Sequence, residues 1–551
     1  MDQAVPARRE PSANCLAGRW LLWASAAVLA LAASMLLAHS MRRPLVHDEH
    51  QFVVSAVVLA RRGLVPSRDY PYFHLPYLVY IYAAAMKVSD HLLLVCRLIE
   101  VIGSIGIIAA VFCASLKLFV SVRPIPRFLI ATASVALLMM HPIFLFTTGR
   151  AWNHDLPTFL SLLAIGALFR SLLSKHPFLL HVMAGLLMGV SIGVRMTFAP
   201  VALAMVTIPL MMSPSGHQRK LKLASTFSAG VIIALLPAIL FALSIPRQFL
   251  FDNFSYPLLN RAYRQQMHFH EAMDLRGKLS YILHRAAFAP IELQPDEWPA
   301  PPGKQHLPLL LRSSSAMAIL FIASIAAAAV RWRRIEPRVW RAIACMILVI
   351  AGAAIGALAP TPSYPVYFFT PLVLCLVLML MLASAAFKGS GAGWIVALML
   401  ASAIAIANGG AHYPLNYLCR VHQWEPIRVH QVGVQIAQSL PPGATVLSLS
   451  PLYASEGNVD IFEQYTTGPF AFRVAATNDW RARILAPLRD VKTIFNSRSP
   501  HAVLTGDEPD LDKQLLAGLT DQNLQPRRAG HLTLWVPPTA TNSSRAPSAG
   551  D

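Results

Sequence analysis

The tetrad His47-Asp48-Glu49-His50 sets two carboxylates between two imidazoles, directly after one long apolar run and before a second, Phe52 to Leu59, that ends in Arg61-Arg62-Gly63. Carboxylates are costly inside lipid, so a pair of them beside a membrane segment belongs at its water edge, either as a helix cap or as the centre of a chemical site. A second group of the same kind follows an apolar run at Gly149-Arg150-Ala151-Trp152-Asn153-His154-Asp155. Each Asp can be read as a cap: Asp48 with Gln51 three residues on as a capping box, Asp155 with Pro157 nearby as a helix start. Two carboxylates converging at a membrane surface, each with His and Arg close by, suit general-base work or metal coordination instead.

Cations surround both groups. Arg42, Arg43, Arg61, Arg62, Arg68, Arg150 and Arg195 fall at or near the same edge, and such charges call for anionic partners; lipid phosphates would serve the first four by snorkelling. Arg195 differs, because Gly193-Val194-Arg195-Met196-Thr197 lies between two apolar runs. An unpaired guanidinium there would cost about 2.5–3.5 kcal/mol near the bilayer centre, which argues for a phosphate or carboxylate partner. His74-Leu75-Pro76 reads as a turn entering an interfacial helix. His268, His270 and Glu271 include the types that ligate metals, but a one-residue gap puts the two imidazoles on different sides of a helix, so they read as surface residues. There is no GxSxG and no GxxxxGK[ST], the marks of a hydrolase elbow and a phosphate loop.

The elements that must position these residues are membrane helices. The chain has 551 residues, 55% hydrophobic and 13% charged, where a soluble protein carries about 25% charged residues. Its apolar runs repeatedly reach the roughly 20 residues that cross a ~30 Å hydrocarbon core as a helix. About eleven spans are expected, near 20–38, 92–119, 128–148, 156–172, 177–194, 197–212, 223–244, 313–330, 342–359, 367–386 and 393–408. Segments 51–62 and 75–88 are expected to lie in the interface. Basic loops mark the inner side, most strongly Arg331, Arg333, Arg334, Arg338 and Arg341. This alternation makes residues 1–19 a cytoplasmic segment and puts the loops 39–91 and 245–312 outside, with both acidic groups. The net charge of +19 is spread over short loops, with no basic stripe interleaved with aromatics, so no nucleic-acid partner is implied. The six cysteines form no CxxC pair and indicate neither a zinc site nor a disulfide framework.

From about residue 409 the composition becomes that of a soluble domain, expected outside the membrane and running to 538. Residues 428–440 read as an amphipathic helix, followed by strand-like TVLSLS; AVLTG, DLDKQLLAGLTDQ and HLTLWVP repeat a strand, helix, strand pattern. The tail 539–551, rich in Ser, Ala and Thr, reads as disordered.

With these motifs in order, the chain resembles the GT-C superfamily glycosyltransferases, in the branch of protein O-mannosyltransferases and lipid A aminoarabinose transferases (glycosyltransferase family 39). The likeness covers roughly residues 20–410. It rests on Asp48-Glu49 after the first span, Gly63 and DYPYFHLP (69–76), the second acid in GRAWNHD (149–155), the basic residue in GVRMTFAP (193–200), and SYPVYFF (363–369) before a late span. The resemblance implies a polytopic α-helical enzyme of the plasma (inner) membrane with a small α/β domain. Its donor would be a sugar on a polyprenyl phosphate, and its acceptor an envelope glycan, lipid or protein. Asp48 is then the general base for the acceptor hydroxyl, Asp155 supports the acceptor or its positioning, and Glu49 completes the catalytic acids. His74, Arg195, Arg150, Asn153, His154, Arg68, Tyr364 and Tyr367 would bind substrate, Arg195 and His74 holding the departing lipid phosphate. A divalent metal is compatible with this chemistry and none is assigned. The aminoarabinose transferases carry a Lys before a Pro pair where this chain has His74-Leu75-Pro76, which leaves the donor sugar open. Two other readings remain: a transporter or flippase of lipid-linked sugars, which requires acids at mid-membrane and discontinuous helices, and a non-catalytic envelope assembly subunit whose Asp residues only cap helices.

Overall fold

The computed structural model describes residues 13–213, 216–267, 273–281, 313–387, 392–475, 500–519 and 524–537. His268, His270, Glu271 and the tail 539–551 lie outside the described residues. The first eight helices are α1 (Ala13–Arg42), α2 (His47–Arg62), α3 (Tyr77–Ala85), α4 (Leu92–Leu118), α5 (Pro124–Met139), α6 (Pro142–Thr147), α7 (Asp155–Ser171) and α8 (Pro177–Val194). Later helices are named by their residues.

Among the described residues, seven helices are long and apolar enough to cross a membrane: Trp20–Arg42, Leu92–Leu118, Pro177–Val194, His217–Ser244, Pro337–Leu358, Pro365–Ala386 and Ala392–Cys419. Pro124–Met139, Met196–Met212 and Ser314–Val330 are shorter apolar helices. α7, with 17 residues, packs between α4 and α8. The expected span 128–148 is broken between α5 and α6, where Pro142 has no N–H to continue the ladder and the His141 ring accepts from the Ile143 N–H at 3.2 Å. The expected span 197–212 is similarly divided after Phe198 and again at Val206. α3 has nine residues, about 14 Å of helix, too short to span.

Where helices cross, small residues let backbones meet. A Cβ on Gly185 would strike the Phe227 carbonyl, and one on Gly230 would come within 2.5 Å of the Val182 carbonyl, so α8 and His217–Ser244 touch along a glycine seam.

The C-terminal part is a five-stranded sheet of order β2-β1-β3-β5-β4, with β1 (Thr445–Ser448), β2 (Asp460–Ile461), β3 (Ala502–Thr505), β4 (Gln525–Ala529) and β5 (Leu532–Val536). β1 pairs parallel with β2 and β3; β5 pairs antiparallel with β3 and β4. Strand-like TVLSLS, AVLTG and HLTLWVP supply β1, β3 and β5. Helices Glu425–Gln438 and Pro509–Ala517 take the expected amphipathic stretches. The sheet is not a separate body: Val429, Ile436 and Val446 share one apolar core with Phe52, Val53, Val57 and Leu93 of α2 and α4. Polar contacts reinforce the joint, with the Leu93 N–H donating to Glu456 at 2.8 Å and Arg61 donating to the Ser455 carbonyl at 2.8 Å.

Candidate active site

α2 begins one turn earlier than the apolar pattern suggests, so the acidic tetrad is its first turn. Two carboxylates there complement the positive end of the helix. Val46 is the N-cap, and Glu49 reaches back to its N–H at 3.3 Å. Asp48 is therefore not the cap. Its Oδ1 accepts a long contact from Gln51 (3.5 Å) and lies 3.7 Å from His47 Nε2, and its side chain is 37% exposed. At the other end Gly63, in the left-handed region (φ +66°), returns its N–H to Leu59.

Glu49 points the opposite way and is fully buried. Its Oε1 accepts from Arg97 Nε at 2.8 Å and from the Ala151 N–H at 2.8 Å, and its Oε2 accepts from Arg97 Nη2 at 2.7 Å. Arg97 also donates to the carbonyls of Ser40 and Arg43. Glu49 thus ties α1, α2, α4 and the 149–155 loop together and presents no free oxygen to a substrate.

Asp155 and Arg150 hold that loop from below. Asp155 is fully buried, accepts from the Gly149 N–H at 2.9 Å and lies against Ser104 and Glu100 of α4. Like Asp48 it is not an N-cap, that place being taken by His154. Arg150 is fully buried, donates to the Pro44 carbonyl at 3.1 Å and stacks near Trp152. Glu100 accepts from Tyr82 Oη at 2.8 Å and from the Leu156 N–H at 3.1 Å. Arg68 is exposed and pairs with Asp69 at 2.9 Å. Of the expected substrate ligands it is the one the fold leaves at the surface.

What this loop presents is His154 and Asn153, and both meet Arg195. Arg195 is 8% exposed; its Nη1 lies 2.7 Å from His154 Nδ1 and 3.5 Å from Asn153 Oδ1, its Nε donates to Thr197 at 3.0 Å, and its guanidinium carbon sits 4.8 Å from the centre of the Tyr367 ring. Burial, and then the Arg195 charge, hold the His154 pKa well below its ordinary value, so the ring accepts from the guanidinium. Among the described residues no carboxylate is within ion-pair reach of Arg195. A cleft bordered by Arg195, His154, Tyr367, Thr370 and Gly356 opens beside it. The Asp48 charge acts on Arg195, His74, Tyr364 and Tyr367. His74 packs its ring 5.1 Å from Phe52, and burial, then Arg195, lower its pKa to about 4.

Further groups around His47 and Tyr364 were not legible as a site in the sequence. Tyr256 stacks on Phe73 at 3.5 Å, Arg264 follows two turns later, and Arg473 arrives from the helix Pro469–Ala475 of the C-terminal part. Both arginine charges act on His47 and Tyr364. The signal for these residues is only their type, since hundreds of positions separate them. Arg97 and Glu100 did carry a signal, being charges inside an otherwise apolar run. Among the described residues no group of three or more His, Cys, Asp or Glu is arranged to hold a metal ion.

The fold is similar to that of a solved membrane protein, ArnT. The structure of ArnT from Cupriavidus metallidurans bound to undecaprenyl phosphate matches with a TM-score of 0.59 at 12% identity, over 96% of this chain and 99% of that one. The apo state of the same protein matches with a TM-score of 0.58 at 13% identity, over 94% and 98% of the two chains. No protein-family model matches the sequence, and no curated protein matches it.

Proposed function

We propose that this chain is a membrane glycosyltransferase that moves a sugar from a polyprenyl-phosphate donor to a hydroxyl of an envelope glycan, lipid or protein, on the outer face of the plasma membrane. The observation that carries this reading is Arg195: a buried guanidinium beside a cleft, with no carboxylate in ion-pair reach among the described residues and with the Asp48 charge acting on it. Such a guanidinium is suited to the phosphate of a lipid carrier. ArnT, which has the same fold, is known with undecaprenyl phosphate bound.

In this mechanism Arg195 holds the donor phosphate and stabilises the charge that grows on it as the sugar departs, with Asn153, His154 and Tyr367 fixing the guanidinium. His74 lines the same space. Asp48 takes the proton of the acceptor hydroxyl as its oxygen attacks the anomeric carbon, and a single displacement inverts that carbon. Glu49, Asp155 and Arg150 act indirectly by holding the elements that carry Asp48 and His154. The N-terminus is cytoplasmic and the sheet extracytoplasmic, in keeping with the arginines of 331–341 on the inner side.

The test is transfer from a panel of undecaprenyl-phosphate hexoses and pentoses by the purified chain and by Asp48→Asn. Loss of the general base is expected to lower turnover about 10²–10⁴-fold while donor binding persists. Unchanged turnover in the variant would remove Asp48 from the reaction. Mass spectrometry of envelope glycans, lipids and proteins from cells lacking the chain identifies sugar and acceptor.

A further inference from the structure

We propose that His47 and Glu508 extend the site beyond Asp48 and carry the acceptor's proton from the Asp48 carboxyl to the C-terminal part of the chain. This rests on the glycosyltransferase reading. Its basis is a linear series of groups: His47 Nε2 lies 3.7 Å from Asp48 Oδ1, and His47 Nδ1 lies 3.7 Å from Glu508 Oε1. Movements of under about 1 Å bring both pairs to hydrogen-bond length, and catalytic contacts are commonly long before substrate binds.

The surroundings of the ring fit a relay better than an ion pair. On its own helix His47 faces Asp48 and His50. From the loop after β3 comes Glu508; from the helix Pro469–Ala475 come Arg473 and the Phe470 ring, centred 5.7 Å away; from Tyr256–Gln266 comes Arg264. Burial first, opposed by the Asp48 charge and aided by the two arginines, lowers the His47 pKa to about 4, so the ring is neutral at neutral pH and has one nitrogen to accept. Burial raises the pKa of Glu508, which favours taking a proton, and Arg473 sits 3.9 Å from its other oxygen.

The neighbouring imidazole is built differently. His50 is buried, accepts from the Leu452 N–H at 3.3 Å and sits 3.8 Å from Asp507. That is a latch between α2 and the C-terminal part, so His47 is spared for another task. Its side chain stays 34% exposed.

The proton steps balance. As the acceptor oxygen bonds to the anomeric carbon, the bond from that carbon to the phosphate oxygen breaks and its electron pair leaves on the phosphate. The acceptor's proton goes to Asp48, then to Nε2 of His47, whose Nδ1 proton passes to Glu508 and from there to water. The sheet-bearing part would thus supply a positioning residue, Glu508, that fixes which nitrogen of His47 carries the proton.

The experiment has two arms on the full chain in nanodiscs. Nitrogen-15 histidine NMR, with the signal assigned by His47→Gln, is expected to find the Nδ1–H form at pH 7, and Glu508→Ala is expected to shift it toward Nε2–H. An Nε2–H form in the native chain, or a tautomer that ignores Glu508→Ala, overturns the relay. In the second arm, the undecaprenyl-phosphate sugar that the native chain consumes is turned over by His47→Gln about 10-fold more slowly, with KM unchanged and with free imidazole restoring the rate. An unchanged rate, or a loss that imidazole does not restore, also overturns it. If the native chain consumes no member of the sugar panel, the glycosyltransferase reading itself falls, whatever the tautomer.

Discussion

Arg97 and Glu49 form a fully buried, two-pronged ion pair, with nitrogen–oxygen distances of 2.8 and 2.7 Å, at the junction of α1, α2, α4 and the loop that carries His154. The pair neither faces the cleft nor touches the groups proposed to react. It fixes the first turn of α2, and with it the direction in which Asp48 points. Removing one member strands the other as a bare charge, which costs about 3–5 kcal/mol. Glu49→Ala is therefore expected to unfold the outer half of the bundle, read as a large fall in folded yield and in thermal midpoint by fluorescence-detected size exclusion. A midpoint within about 2 °C of the native chain would show that the junction does not depend on this pair.

Arg195 gives the complementary case, a charge whose loss affects binding more than folding. Arg195→Ala is expected to weaken undecaprenyl phosphate binding by roughly 10–150-fold, the worth of one charge-assisted hydrogen bond of about 1.5–3 kcal/mol. Arg195→Lys should recover only part, since an ammonium keeps the charge but lacks the flat face that lies on Tyr367. Equal affinity in all three proteins, measured by titration in nanodiscs, would place the phosphate elsewhere.

Gly356 tests whether the position of Arg195 is set by the helix across the cleft. A Cβ there would strike the Thr197 carbonyl, and Thr197 receives the Arg195 Nε–H. Gly356→Ala adds no charge and removes no polar group, yet it pushes the 195–198 segment aside. The expected result is several-fold weaker undecaprenyl phosphate binding with an intact fold, because small misplacements of a phosphate ligand are costly. Unaltered binding would mean that the segment is positioned from α8 alone.

The sequence was most informative where one rule governed. Apolar runs gave the long helices, and short strand-like runs in a strand, helix, strand order gave β1, β3 and β5. An arginine between two apolar runs pointed to Arg195, which the fold buries beside a cleft. It was least informative where a choice depends on tertiary direction. Asp48 and Glu49 are adjacent, and only the approach of Arg97 decides that Glu49 turns inward. Asp155 looked like the partner of Asp48, but the close passage of Gly149 and Ser104 draws it under the loop. Arg473 and Glu508 lie in a stretch with no membrane signal, and nothing local tells that the sheet docks on α2. Pro142 marked a break inside an apolar run that length alone merged into one span.

The contact of the C-terminal sheet with α2 should itself depend on pH, through Asp507 and His531. Asp507 lies 3.5 Å from His531 and 3.8 Å from His50. Burial pushes the Asp507 carboxyl up, but its contacts with the two imidazoles outweigh this and hold its pKa below the usual range. The contact with Asp507 raises the pKa of His531 against the opposing effect of burial. A depressed carboxylate contributes stability above about pH 4, lost as pH falls through its folded pKa; a raised imidazole contributes stability below about pH 6.5, lost as pH rises through its folded pKa. The pair is therefore strongest between about pH 4 and 6.5. Because His531 is half exposed, its share is below about 1 kcal/mol. The thermal midpoint of Asp507→Asn should trail that of the native chain most near pH 5–6, and the gap should narrow toward pH 8. A gap of constant width across that range would mean that Asp507 serves the joint through its shape and its hydrogen bonds, and not through the charge it shares with His531.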